Sequence, residues 1–366
     1  MKRKIIGILV CMLLIATAIP VATSMKVNKT NGENAGIVSS GNDHPVAKFT
    51  WRSFGYFPLF IVDGKGSTDD GRIVKYEWQW DEGGSYQSTL RYPMWFHYYG
   101  VNKQPHKITL KVTDNDGSID LVTHVVFPRS ISGPKGSYSA TYISEYDVLE
   151  TLPVSYLDEQ YTEVKYVMRG AGWQQKFFKT DGSVTEGTFK NDLPTSNFHY
   201  HCGHGINDWA LDFNTELALK GWIPGPGFGD VRAEDVKNKW NNNCKWVMLH
   251  SCHILEDCTY PGYDVDTFRN QWAEALNTCH MILGYASITY LGSKVITEFF
   301  YNALGGMDIV EAYKLATKAG YGNYVKAAVI ADTYDQFNDD HLYGYGTVQA
   351  DETNNDNYYY SSTWWC

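Results

Sequence analysis

The chain has 366 residues, a formal net charge of −10 and a hydrophobic fraction of 43%. That length allows about two domains with a sizeable core and excludes wholesale disorder. An acidic chain with no basic cluster offers no electrostatic footing for nucleic acid, so no nucleic-acid partner is expected.

In chain order, MKRK (1–4) is basic, Ile5–Val21 is a 17-residue apolar stretch, and Ala22-Thr23-Ser24 is a small-x-small site. This reads as a secretory signal over residues 1–24. A retained membrane anchor is the alternative, because 17 mostly apolar residues nearly span a bilayer. Both place the remainder outside the cell or at its surface. Residues 25–44 are polar and rich in Asn, Gly and Ser, as in a flexible linker, and Asn28-Lys29-Thr30 is a glycosylation sequon. Export permits disulfides among the six cysteines beyond Cys11, with fifteen connectivities open.

From Pro45 to Pro128 the pattern is short runs of β-formers separated by Asp-Gly turns. IVKYEWQW (73–80) and HKITLKV (106–112) read as strands, with turns at DGKGSTDDG (63–71) and DNDGSID (114–120). No helical period is visible, so a small all-β sandwich is expected. The stretches STDDGRIVKYEWQW, HYYG and ITLKVTDNDGSID resemble PKD domains, which are immunoglobulin-like modules of exported proteins. WDEGG (80–84) departs from the family's Gly-Asp-Gly turn. The resemblance implies a spacer or adhesion role, with contact to a cell surface or matrix, and no catalytic residues. Asp63, Asp69, Asp70, Asp114 and Asp116 are oxygen donors for calcium, or they shape turns.

RSISGPKGS (129–137) reads as a second linker, and beyond it the texture is α/β over 138–350. Strands are expected in 139–148, 196–202, 244–252 and 280–286. Helices are expected over 153–168, 266–277, 293–304 and 307–320, the last stopped by Gly320. Alternating strand and helix with near-continuous apolar strands predicts a mostly parallel sheet covered by helices on both faces. The aromatic tail, 351–366, stays outside this pattern.

The chemistry-bearing residues gather in FHYHCGHG (198–205) and WVMLHSCHIL (246–255). In an open α/β sheet, ligands bind beyond the carboxyl ends of the strands. His204 and Cys252 each follow a strand, so an imidazole and a thiol can face one crevice, as nucleophilic catalysis needs. The N–H groups of Gly205 and Cys252 are then candidate donors to an oxyanion. The 48-residue spacing is near the roughly 50 that separates His from Cys in caspases.

YHCGHG and VMLHSC resemble the paired strand ends of caspases, legumains, gingipains and clostripain. That resemblance implies a caspase-like cysteine peptidase domain, with Cys252 as nucleophile and His204 as general acid/base on a protein or peptide substrate, and requires no cofactor. Ser251-Cys252-His253 replaces the caspase Gln-Ala-Cys context, so cleavage specificity does not carry over. Acidic residues at Asp208, Asp212, Glu256, Asp257, Asp264 and Asp266 would favour a basic side chain in the substrate, or form a solvated face. His250 lies one step back inside the sheet, His253 points to the opposite face if the strand runs straight, and Cys202 packs or pairs.

Two other readings stay open. His199-x-His201-x-x-His204 resembles the H-x-H-x-D-H signature of metallo-β-lactamase-like hydrolases and would bind zinc, with His250 and His253 as further ligands, although Gly203 stands at the Asp position. Alternatively the scaffold is catalytically idle and serves surface binding or adhesion, with Cys252 bonded to Cys258. Cys244 and Cys279 each begin a buried strand, and neighbouring strand starts bring them within reach of a disulfide.

Overall fold

The computed structural model describes residues 44–366 apart from 55–56, 82, 91–93, 99–104, 127–135, 209–213, 225–228, 242, 260 and 352–358. The expected signal, the sequon, nearly all of the first linker, and residues 129–135 of the second lie outside the described residues.

The first domain is a sandwich of two antiparallel sheets. One sheet has the order β1 (Thr50–Phe54), β2 (Phe57–Asp63), β5 (Met94–Tyr98). The other runs β4 (Gln87–Leu90), β3 (Ile73–Trp80), β6 (His106–Asp114), β7 (Ile119–Val126). Alternation sets the inward face: Ile108, Leu110 and Val112 of β6 are buried and meet Trp78 of β3 and Phe60 of β2. Asp81, in the departing WDEGG turn, takes a left-handed φ of 61°. The acidic turn residues mostly serve the backbone. Asp114 Oδ1 accepts from the N–H groups of Asp116 and Ser118, Asp63 from Lys65, and Asp69 from Gly71. Among the described residues no three His, Cys, Asp or Glu side chains converge to hold a metal ion.

The second domain is built on a seven-stranded mixed sheet. Its strands are β8 (Ser137–Tyr142), β9 (Gln174–Thr180), β10 (Phe198–Cys202), β14 (Trp246–His250), β15 (Met281–Tyr285), β16 (Lys326–Ala331) and β17 (Tyr360–Trp365). The spatial order is β17-β16-β15-β14-β10-β8-β9. The strands from β9 to β15 are parallel, whereas β16 runs antiparallel to β15 and β17 antiparallel to β16. The tail therefore belongs to the sheet, which corrects its separation from the domain at residue 350.

Three long helices cover one face: α1 (Val154–Gly170), α4 (Lys294–Leu304) and α5 (Ile309–Tyr321). The opposite face is covered differently from the expectation. There a small antiparallel sheet of β11 (Gly205–Asp208), β12 (Asn214–Ala218) and β13 (Asp230–Arg232) packs with the short helices α2 (Ala233–Val236) and α3 (Thr267–Ala273). Helix α5 runs past Gly320 and ends at Gly322, whose φ of 60° supplies the left-handed cap that Gly320 was expected to give. A last helix, α6 (Tyr334–Asp339), opens on a Thr333–Gln336 capping box.

The sandwich packs against helices α1 and α4. Glu163 of α1 is 1% exposed; its carboxylate pairs with His124 of β7 and accepts from Val125 N–H at 3.3 Å. Lys107 of β6 reaches Glu298 of α4 at 2.7 Å and lies 4.3 Å from the centre of the Tyr301 ring.

Candidate active site at adjacent strand ends

β10 and β14 are parallel neighbours, and their register pairs Cys202 with His250. The next link, from Gly203 N–H to the His250 carbonyl at 3.4 Å, carries the pairing one step further. Two residues beyond that pair, on the respective chains, stand His204 and Cys252. Gly205 then opens β11 and leads the backbone into the small antiparallel sheet. A β-carbon at residue 205 would lie 2.9 Å from Cys252 N and closer still to Cys252 O, so the two backbones touch only because residue 205 is glycine. Ala218 N–H donates to the His204 carbonyl. By the alternation of antiparallel ladders, Gly205 opposite Leu217 then occupies a non-hydrogen-bonded position and turns its N–H away from β12.

The His204 imidazole is half-buried. Its Nε2 donates to the Glu150 carbonyl at 2.8 Å, and a carbonyl can only accept, so Nδ1 is the basic nitrogen of the neutral ring. Its ring packs against Tyr146 with centroids 4.8 Å apart, and its own N–H donates to the Tyr146 hydroxyl at 2.8 Å. Burial lowers the His204 pKa below its ordinary value, with the Glu150 carbonyl partly opposing. His204 is therefore a neutral base near pH 7.

Of the six described cysteines, Cys252 alone is not fully buried. Its Sγ lies 3.4 Å from Thr289 N–H and 3.7 Å from the Thr289 carbonyl, in the loop after β15. Cys202 is buried in the core, and burial pushes its thiol up to about 12, which suits packing rather than attack. His250 is enclosed as expected. Its Nε2 lies 2.9 Å from the Tyr290 carbonyl, its Nδ1 is 3.3 Å from Tyr200 Oη, and burial lowers its pKa to about 4. The chain turns at once after Cys252: His253 has a φ of 62°, and its Nδ1 meets Glu256 at 3.0 Å.

The three histidines of the zinc reading are not brought to one point. His199 and His201 share the face of β10 opposite Tyr200, where His199 bonds Ser139 at 2.7 Å and His201 bonds Thr141 at 2.9 Å. Burial pushes His199 well below its ordinary value and His201 down to about 3. His204 instead serves Glu150 and Tyr146.

The acidic neighbours are largely neutralised within the protein. Glu256 holds Asn207 and His253, while Asp257 and Asp266 pair with Arg269, and Asp257 also with Lys326. Asp212 and the side chain of Asp208 lie outside the described residues.

Cys244 and Cys279 are both buried, free thiols with Sγ atoms 3.5 Å apart. Cys258 is buried in the turn after Cys252.

Sequence reasoning missed the loop Ile143–Leu152, which it read as a strand continuing to Val148. The Ser-Glu-Tyr-Asp run at 144–147 breaks the apolar pattern of β8 at its carboxyl end, where site residues gather.

Among solved structures, the PKD1 domain of Vibrio anguillarum Epp is 25% identical over 24% of this chain and 95% of its own, with a TM-score of 0.21. The PKD1 domain of the Vibrio cholerae metalloprotease PrtV is likewise 25% identical, over 24% of this chain and all of its own, with a TM-score of 0.21. A β-glucuronidase from Ruminococcus gnavus is 6% identical over 76% of this chain and 40% of its own, with a TM-score of 0.20. At such scores these likenesses say nothing about activity. No curated protein matches the chain. The model of one family, described as a domain of unknown function (DUF6345), matches residues 143–365. That match takes in the whole seven-stranded sheet except the opening strand β8, together with its helices and both candidate site residues, and the chain belongs to this DUF6345 family.

Proposed function

We propose that the protein is an exported cysteine hydrolase, acting on peptide bonds with Cys252 as nucleophile and His204 as general base and then general acid. The observation that carries this reading is the register of β10 and β14. It ends the two adjacent parallel strands at Cys202 and His250, each two residues before a member of the dyad, and Gly205 is pressed on the Cys252 backbone, which supports this pairing. The resemblance of YHCGHG and VMLHSC to caspase-like peptidases supports the same assignment, and the basic and apolar N-terminal run supports export.

In this mechanism neutral His204 takes the Cys252 thiol proton at Nδ1 while Nε2–H stays on the Glu150 carbonyl. The thiolate attacks the substrate carbonyl carbon, and the resulting oxyanion is held by the N–H groups of Gly205 and Cys252. The imidazolium returns its proton to the leaving amine, and water then hydrolyses the thioester. Because His204 is held neutral by burial, the thiol is activated by proton transfer rather than by a standing ion pair.

Incubation with a peptide library tests the reading. Cys252→Ala and His204→Ala should abolish cleavage with little change in Tm, and His253→Ala should do much less. Cleavage surviving in Cys252→Ala would sink it. A second reading, an idle binding scaffold, draws on the contact of Cys252 Sγ with Thr289, which engages the thiol within the protein. Failure of the wild type to cut any peptide would favour it.

A further inference from the structure

The loop between β8 and α1 meets His204 at three points. It supplies the Tyr146 hydroxyl that accepts the His204 N–H, the Tyr146 ring against the imidazole, and the Glu150 carbonyl on Nε2. Tyr146 is 8% exposed, so its ring has little room to swing away. Gly203 keeps space for this contact, since a β-carbon there would lie 2.8 Å from the Tyr146 hydroxyl oxygen.

What shapes the loop lies outside it. Asp181, the first residue after β9, gathers three donors on one carboxylate oxygen: Ser144 N–H at 2.7 Å, Ser144 Oγ at 2.8 Å and Glu145 N–H at 3.0 Å. It does so from a left-handed backbone with a φ of 46°, a conformation that costs an aspartate energy and that Gly182, its neighbour, would adopt freely. Burial works to raise the Asp181 pKa, but the bonds from Ser144 and Glu145 outweigh it and hold the carboxyl below its usual value. Such strain persists only where the surroundings enforce it, and here the product is a fixed loop beneath the candidate base.

Resting on the dyad reading above, we infer that Tyr146 and Asp181 are positioning residues for His204: Tyr146 holds its backbone and ring, and Asp181 fixes the loop that carries Tyr146 and the Glu150 carbonyl. Neither residue touches substrate. Their action is to keep Nε2 occupied as a donor and Nδ1 aimed as a base.

The test uses the full chain and follows iodoacetamide labelling of Cys252, located by mass spectrometry, from acid to alkaline pH, with thermal unfolding measured in parallel. His204→Ala should slow labelling near neutral pH. Tyr146→Phe and Asp181→Gly should slow it roughly tenfold or more, as small misplacements of a base do. The Tm of Asp181→Gly should change little, because glycine relieves the left-handed strain as the anchor is lost; a merely structural anchor would lower Tm and leave the labelling rate alone. Asp181→Asn tolerates the same backbone and keeps an acceptor oxygen, so it should restore most of the rate. If both variants label at the wild-type rate while His204→Ala is slow, the positioning roles are overturned and the dyad stands. If His204→Ala also labels like wild type, the dyad and the positioning roles fall together.

Discussion

Gly205 and Cys252 share a backbone contact that no other residue at position 205 can make. Gly205→Ala would drive its methyl group into Cys252 N and O, and neither backbone can withdraw freely, since the His204 carbonyl is already bonded to Ala218 N–H. The expected result is a loss of about 1–3 kcal/mol from overpacking and a changed rate of Cys252 alkylation. Gly221→Ala is the control, because nothing lies within 4 Å of a β-carbon there. Equal Tm values for the two variants would show that the contact is loose.

Cys244 and Cys279 should form a disulfide in protein made under oxidising conditions. Each lies two residues before a register pair, Trp246 with Met281, so they face each other across parallel strands. Oxidation removes two protons and two electrons, transferred to the disulfide of an exchange partner. Closing a 35-residue span contributes about 4 kcal/mol by loop-closure entropy. Peptide mapping without reductant should find this pair bridged and Cys252 alkylated; two alkylated residues at 244 and 279 would refute it.

The protein should lose stability in mild acid. Burial lowers the pKa of His199, of His201 to about 3, and of His250 to about 4. A group depressed in the folded state gives its full contribution above the unfolded value, near 6.5, and loses it as pH falls toward the folded value. The window is therefore pH 6.5 down to about 3, and His250 alone accounts for roughly 3 kcal/mol between pH 6.5 and about 4. Urea unfolding measured at several pH values checks the slope. His250→Gln should flatten it, and an unchanged slope would assign the acid lability elsewhere.

The docked sandwich should melt together with the α/β domain. Glu163→Ala leaves His124 and the Val125 N–H without their buried acceptor, at a cost of about 1–3 kcal/mol for each donor left unsatisfied. Calorimetry should then show one transition in the wild type and two in the variant. Two transitions in the wild type would mean that the interface couples the domains weakly.

Much of this architecture could be read from residues alone, for identifiable reasons. Ile73–Trp80 and Phe198–Cys202 stood out because β-branched and aromatic runs end abruptly in Asp or Gly. His204 and Cys252 stood out because reactive side chains directly follow apolar strands. β9, QQKFFKT, was missed because it is an edge strand with a half-exposed face, and its two lysines and two glutamines mask the period. β11 to β13 are three to five residues long, too short to show a pattern. The roles of Tyr146 and Asp181 depend on a loop geometry that has no sequence period.

The late position of β17 has a consequence for how the chain folds. β16 is LYS-ALA-ALA-VAL-ILE-ALA in sequence, with a single charge at its first residue, and β17 (Tyr360–Trp365) covers its outer edge. Until that later strand docks, a row of unpaired N–H and C=O groups flanked mostly by apolar side chains lies open, the kind of edge onto which other chains add strands. Refolding is therefore a race between closure of this edge and aggregation, and its yield should fall as protein concentration rises.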